Sequence, residues 1–353
     1  MTRATPDSGR MTAQAPKGPD HDCREDVAIV VIGRNEGDRL PRCLASLPAA
    51  ASVIYVDSGS IDASIDQAKA AGVDVVALSS DRPFTAARGR NAGLARLGSQ
   101  SIRYVQMIDG DCELQPGWTM HAASVLDADS GLVAVFGRRR ERRPEASVYN
   151  RLCDAEWAVP AGEVRAFGGD VMLRREALLA AGGYSEAMVA GEDIDLALRL
   201  QQAGGRIVCL PIEMTLHDAA IERVGQWWKR TERAGHAFAE LSVRHPGFYR
   251  RSVTRILFWG GVLPLLAAIG IAAGLIAPGW IWLAIAAVVL TLLQGIRIFA
   301  RERRAAPAAF AAATALFLIV GKYAEIIGLC RFHLDRWRGR EARLIEYKGA
   351  AGT

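Results

Sequence analysis

The chain has 353 residues, half of them apolar and 23% charged, which excludes a mainly disordered protein and leaves room for about two domains. Its formal charge is +5, from 43 Lys and Arg against 38 Asp and Glu, and the mean hydropathy of +0.11 is high for an ordinary soluble enzyme. Six scattered cysteines with no CxxC pair indicate neither a disulfide framework nor a zinc site.

Residues 1–25 carry Pro6, Gly9, Pro16, Gly18 and Pro19 among charges, without apolar periodicity or the apolar core of a signal peptide, so a loose tail is expected. From Val27 the pattern changes to short β-rich runs alternating with helical spacing. It predicts strands at Val27–Ile32, Ser52–Val56, Val73–Leu78 and Ile102–Ile108, and helices at Asp38–Leu47, Asp62–Ala71, Ala86–Leu97 and Gly117–Asp127. This is the signature of an α/β, doubly wound, mostly parallel sheet, in which ligands bind beyond the carboxyl ends of the strands. Asn35 and Glu36, Asp57, and Asp109 with Asp111 occupy those positions.

Four Asp-x-Asp triplets occur, so the spacing alone says little. Asp109 and Asp111 stand apart because they follow the apolar run Tyr104–Ile108, where a strand end can hold hard oxygen ligands for a divalent cation; a capped turn is the plainer reading. Asp57 ends a strand before Ser-Gly-Ser and is placed to accept hydrogen bonds from a base or ribose, while Ser60 or Asp62 suits the N-cap of the next helix. Arg138, Arg139, Arg140, Arg142 and Arg143 form a dense basic run, either a solvated face or a site for phosphates and anionic headgroups. Gly168 and Gly169 allow close backbone approach or merely an unusual φ. Asp193 opens a helix whose dipole is expected to lower its pKa and keep it ionised, and Asp195 with Arg199 reads as an i, i+4 pair.

Near residue 250 the composition shifts. Ile256–Ile296 is 41 residues without Asp, Glu, Lys, Arg or His, too long for one span at ~1.5 Å per residue, and Ala277-Pro278-Gly279 divides it into spans at about 256–277 and 280–299. Arg244, Arg250, Arg251 and Arg255 precede this hairpin and Arg297, Arg301, Arg303 and Arg304 follow it, so the positive-inside rule keeps the large N-terminal part cytoplasmic, at the inner membrane. A third apolar stretch, 308–330, contains Lys322 and Glu325 and runs into the basic amphipathic segment Arg331–Lys348; an interfacial or re-entrant helix is expected there, with a third span the alternative. Residues 244–353 hold 15 Lys and Arg against 5 Asp and Glu, a net +10, which leaves −5 for residues 1–243. Trp227 and Trp228, just before the membrane region, could stack on sugar or sit at the lipid interface.

The ordered set Val31-Ile32-Gly33-Arg34-Asn35-Glu36, Val56-Asp57-Ser58-Gly59-Ser60-Ile61-Asp62, Arg88-Gly89-Arg90-Asn91-Ala92-Gly93 and Ile108-Asp109-Gly110-Asp111 resembles the family 2 glycosyltransferases of GT-A fold. Phe167-Gly168-Gly169-Asp170, Gly182-Gly183-Tyr184, Gly191-Glu192-Asp193-Ile194-Asp195 and His217 extend the resemblance over about residues 26–240. It implies inverting transfer of a sugar from a nucleotide-diphosphate donor, with Mn²⁺ or Mg²⁺ as cofactor. Asp111 and His217 would hold the metal and Asp109 would face the donor. Asp193 would be the general base, with Glu192 beside the acceptor; Asn35, Glu36, Asp57, Arg90, Asn91, Gly168 and Gly169 would line the substrates. The Gln226-Trp227-Trp228-Lys229-Arg230 run departs from the Gln-x-x-Arg-Trp motif of processive synthases in that family, which argues against a polymerase. A membrane lipid or lipid-linked glycan is the expected acceptor, in cell-surface polysaccharide or glycolipid synthesis. A scaffold that binds nucleotide-sugar without turnover and a sugar nucleotidyltransferase are the competing functions. Nucleic acid is not an expected partner, because the cations cluster beside the apolar hairpin.

Overall fold

Strand β1 (Val27–Gly33) is an almost continuous apolar run, and Val27 to Val31 are each at most 1% exposed, as a strand covered on both faces requires. The computed structural model describes residues 24–48, 52–98 and 101–340. The expected tail up to residue 23 and the amphipathic segment beyond residue 340 lie outside them.

After β1 come α1 (Arg39–Ala45), β2 (Ser52–Asp57), α2 (Ser64–Ala70), β3 (Asp74–Ala77), α3 (Ala86–Arg96) and β4 (Tyr104–Asp109), the predicted alternation with shorter helices. The chain continues through β5 (Cys112–Leu114), α4 (Trp118–Ala128), β6 (Leu132–Glu141), α5 (Val148–Glu156) and β7 (Gly162–Glu163). Then follow β8 (Val171–Arg174), α6 (Arg175–Ala180), α7 (Glu192–Gln202) and β9 (Arg206–His217). All nine strands join one sheet in the order β3-β2-β1-β4-β8-β6-β9-β5, with β7 on β9. β1 is parallel to β2 and β4, β2 to β3, and β6 to β9, whereas β8, β5 and β7 pair antiparallel. The sheet is therefore mixed and mostly parallel, with helices packed on it. Gln106 lies fully buried in β4 and is satisfied by the Trp118 indole N–H, which donates to its Oε1 at 2.8 Å.

Helix α8 (Val224–Arg244) leads out of this domain, and its buried stripe includes Trp227, Glu232, His236, Ala239 and Leu241. It is followed by α9 (Arg250–Ile256), a π-helical turn (Leu257–Val262), α10 (Leu263–Gly274), α11 (Ile281–Glu302) and α12 (Ala308–Trp337). Three helical segments, Arg250–Gly274, Pro278–Glu302 and Ala308–Trp337, are long and apolar enough to cross a membrane. The first break falls at residues 275–277, beside the predicted Ala277-Pro278-Gly279. The third segment is one 30-residue helix that packs along α8: a Cβ at Gly235 would strike the backbone of Glu325, and one at Gly328 would strike that of Glu232. Such backbone contact is what small residues at a helix crossing permit.

Candidate active site

Register brings the strand-end residues to one level. Gly33 pairs with Asp57 and Ile32 with Asp109, so the exits of β2 and β4 flank that of β1. Asn35 adopts a left-handed conformation with φ +55°, which Asn tolerates. Its Oδ1 accepts the Ile61 N–H at 2.8 Å, and its own N–H donates to Ser60 Oγ at 2.9 Å. Asp57, 1% exposed, accepts the N–H groups of Gly59 and Ser60 at 2.9 and 2.8 Å and the Tyr55 hydroxyl at 3.2 Å. Glu36 pairs with Arg39 at 3.1 Å. Asn35 and Asp57 thus fix the shape of the two loops that would receive a nucleotide.

Arg90, 3% exposed on α3, ties three elements together. It donates to Glu192 Oε1 of α7 at 2.7 Å and to Asp109 Oδ1 at 2.9 Å, with its guanidinium 5.3 Å from the centre of the Tyr184 ring. Burial opposes its charge, but Asp109 and Glu192 more than offset that and raise its pKa further. Asn91 clamps the next loop: it donates to Tyr184 O at 2.8 Å and accepts the Tyr184 N–H at 2.9 Å. Gly169 has no room for a side chain, since a Cβ there would lie 2.6 Å from both Arg90 Nη2 and Asp109 Oδ2, while one at Gly168 would come 4.0 Å from Asp193 Oδ2. The Gly168-Gly169 backbone therefore passes between the Arg90–Asp109 pair and Asp193.

Asp193 sits in the first turn of α7 with its Oδ1 accepting the Ile194 N–H at 2.8 Å. The expectation of a lowered pKa is corrected: burial first, then the neighbouring Glu192 carboxylate, raise it to about 6. Arg90, the Ile194 N–H and Arg139 pull the other way and do not compensate. A helix terminus is worth at most ~2 kcal/mol, less than desolvation plus a second carboxylate can impose.

On the other side, β5 and β9 pair Cys112 with His217, and β6 and β9 pair Glu141 with His217. Asp111 is 3% and His217 5% exposed, with Asp111 Oδ2 3.4 Å from His217 Nε2. His217 Nδ1 is buried without a hydrogen-bond partner among the described residues; Glu141 Oε2 lies behind it at 3.9 Å, beyond hydrogen-bond range. Donor atoms of Asp111, Cys112 and His217 lie within 4.8 Å of one another. Burial, with Asp170 and Asp111 nearby, pushes the Cys112 thiol well above its usual pKa in the absence of a cation. A carboxylate and an imidazole suit Mn²⁺, and the carboxylate suits Mg²⁺.

Three residues of this site, Asp170, Glu141 and Trp157, carried no assignment in the sequence, and a fourth, Arg139, was read only as part of the basic run. Asp170 accepts the Asp109 N–H at 3.0 Å and the Thr215 hydroxyl at 2.9 Å, and pairs with Arg139 at 2.9 Å. Glu141 accepts from the Ala219 N–H at 3.0 Å and from Asn150 at 3.3 Å. Trp157 meets the His217 ring edge-on at 4.5 Å and lies under the Arg139 guanidinium at 5.4 Å. Arg139 belongs to the basic run, which is no plain solvated face: strand β6 carries it inward, Arg140 pairs with Asp154 and Glu213, Arg142 with Glu113, and Arg143 with Asp218. Trp227 is 6% exposed and packs against Tyr149 and Phe317 of α12, one layer behind Trp157; Trp228 is half-buried beside it. Trp227 thus joins the catalytic domain to α12. Asp195 does pair with Arg199, at 2.9 Å, and also binds His245 at 2.8 Å.

Residues 28–171 match the profile of Glycosyl transferase family 2. The chain is 28% identical over 308 residues to the pre-mycofactocin glycosyltransferase of Mycobacterium tuberculosis, covering 84% of this chain and 61% of that one. It is 30% identical over 216 residues to the succinoglycan biosynthesis protein ExoU of Rhizobium meliloti, covering 56% of this chain and 60% of that one. It therefore spans about three fifths of the length of these relatives. The mannosyltransferase PcManGT of Pyrobaculum calidifontis, solved with GDP-Man and Mn²⁺, has the same fold with a TM-score of 0.54 at 20% identity over 90% of both chains. The sheet order, the residues at its strand ends and these matches agree that the chain has the GT-A fold and carries a Glycosyl transferase family 2 domain at residues 28–171.

Proposed function

We propose that the protein transfers a sugar, with inversion, from a nucleotide-diphosphate sugar to a membrane lipid or lipid-linked glycan at the cytoplasmic face of the inner membrane. The observation that carries the reading is the buried pair of Asp111 with His217, together with the buried Arg90 that binds both Asp109 and Glu192, the neighbour of Asp193. Asp111 and His217 would hold a divalent cation, Mn²⁺ or Mg²⁺, which when bound neutralises charge on the departing diphosphate. The surroundings favour such an ion: among these site residues, Asp109, Asp111, Glu141, Asp170, Glu192 and Asp193 outnumber Arg90 and Arg139, an excess of negative charge that repels a diphosphate. Asn35 and Asp57 hold the nucleotide loops, and Arg139 is placed to attract phosphate oxygens. Asp193 takes the proton of the acceptor hydroxyl, and Gly168, open towards Asp193, leaves space for the sugar while Gly169 closes on Arg90 and Asp109. Residues 26–243 form the catalytic domain; the hairpin anchors it, and α12 rests at the interface along α8.

Asp111→Ala is expected to weaken Mn²⁺ binding at least ~100-fold, since even groups behind a metal ligand contribute 10–100-fold. Titration of purified protein with Mn²⁺, followed by transfer from a panel of nucleotide-sugars to extracted lipid, checks this. Wild-type Mn²⁺ affinity and transfer in a folded variant would remove Asp111 from the site.

A further inference from the structure

The apolar helices frame a polar niche, open on one side, that the proposed transfer reaction does not use. A cavity of about 70 Å³ lies where α9, the end of α11 and the middle of α12 meet, lined among others by Arg255, Trp259, Thr291, Gln294, Arg301 and Lys322. One water needs ~10–15 Å³ measured this way, so the space admits a group the size of a phosphate. Its setting is otherwise apolar: Ile256–Ile296 contains no ionisable residue, and Thr291 and Gln294 are among the few polar side chains in that run. Polar and charged groups gathered at one point of a membrane bundle are costly to keep without a partner. Trp259 belongs to the π-helical turn Leu257–Val262, an irregularity that opens the backbone ladder beside the cavity.

Charge indicates the ligand. Three cations line the cavity; Lys322 pairs with Glu325 one turn on, and Arg301 with its neighbour Glu302, which leaves the niche itself net positive. Arg255 begins the apolar hairpin and Arg301 ends it, so both stand at the same end of the bundle, the end that joins the catalytic domain. Cations with an indole at that depth match the phosphate level of a leaflet. We propose that this niche binds the phosphate of an anionic lipid. The inference rests on membrane insertion of the hairpin and is independent of which acceptor receives the sugar.

The test uses full-length protein purified and delipidated in detergent, with phosphatidylglycerol and phosphatidylcholine as probes and native mass spectrometry as readout. Phosphatidylglycerol is expected to be retained at least fivefold better than phosphatidylcholine. The double variant Arg255→Gln/Arg301→Gln is expected to erase that preference, at ~5-fold per cation removed near a headgroup. Both side chains are exposed, so their loss leaves packing intact. Lys229→Gln, on α8 and outside the cavity, serves as the matched charge control and is expected to bind like wild type. Equal retention of the two lipids, an unchanged preference in the double variant, or displacement of the lipid by millimolar inorganic phosphate would each overturn the proposal. Since binding is read without donor sugar, failure here leaves glycosyl transfer standing, and failure of transfer leaves this result standing.

Discussion

Asp193→Asn should lower the transfer rate by about 10²–10⁴-fold while donor binding stays within a few-fold of wild type, because a positioned general base contributes on that scale. Asparagine preserves the shape and can still accept the Ile194 N–H, but it cannot take a proton. The same residue sets the pH dependence. With a pKa raised to about 6 by burial and Glu192, the ionised form that serves as base is present above that pH and is lost below it. Turnover of the wild type should therefore rise about tenfold per unit up to pH ~6 and level off above it. Rate profiles at saturating donor check both statements. A wild-type rate in the asparagine variant, or a profile flat between pH 5 and 7, would assign the proton transfer elsewhere.

Arg90→Ala is expected to destabilise the fold by about 3–5 kcal/mol, the usual result of removing one member of a buried ion pair. The loss leaves Asp109 and Glu192 facing each other without their shared cation. Arg90→Lys restores the charge but not the fork that reaches both carboxylates, so an intermediate loss is expected. Thermal unfolding in detergent reads the three proteins side by side, and equal melting temperatures would show that the two pairs are dispensable.

The parallel half of the sheet could be read from sequence because each strand there is an apolar run that ends in a polar turn, with a helix of matching period between. Asn35, Asp57, Asp109 and Asp111 were legible for the same reason: a strand end states its own position. The antiparallel half was not. Strand β6 ends in Gly137 and a run of arginines, a composition that hides its period of two, and only the pairing with β9 shows that Arg139 and Glu141 turn inward. Trp157 follows a short helix with no local pattern, and its place against His217 depends on contacts between residues 60 apart in the chain. The pKa of Asp193 was misjudged because the helix terminus is local while its burial and the Arg90 network are long-range.

The union of α8 with α12 has a mechanical outcome. One end of α8 is locked to α7, the helix that carries Asp193, through His245 and Asp195, and its flank is locked to α12 by glycine-level contact and the edge-on meeting of Trp227 with Phe317. Among the described residues this leaves no slack joint between the sheet and α12, so with the hairpin in a bilayer, as proposed, the reaction centre would stand at one altitude above the lipid. A lipid-borne acceptor, if that is the substrate as proposed, would thereby be gauged by how far its hydroxyl protrudes: too short a stem would never arrive, and too long a one would pass by.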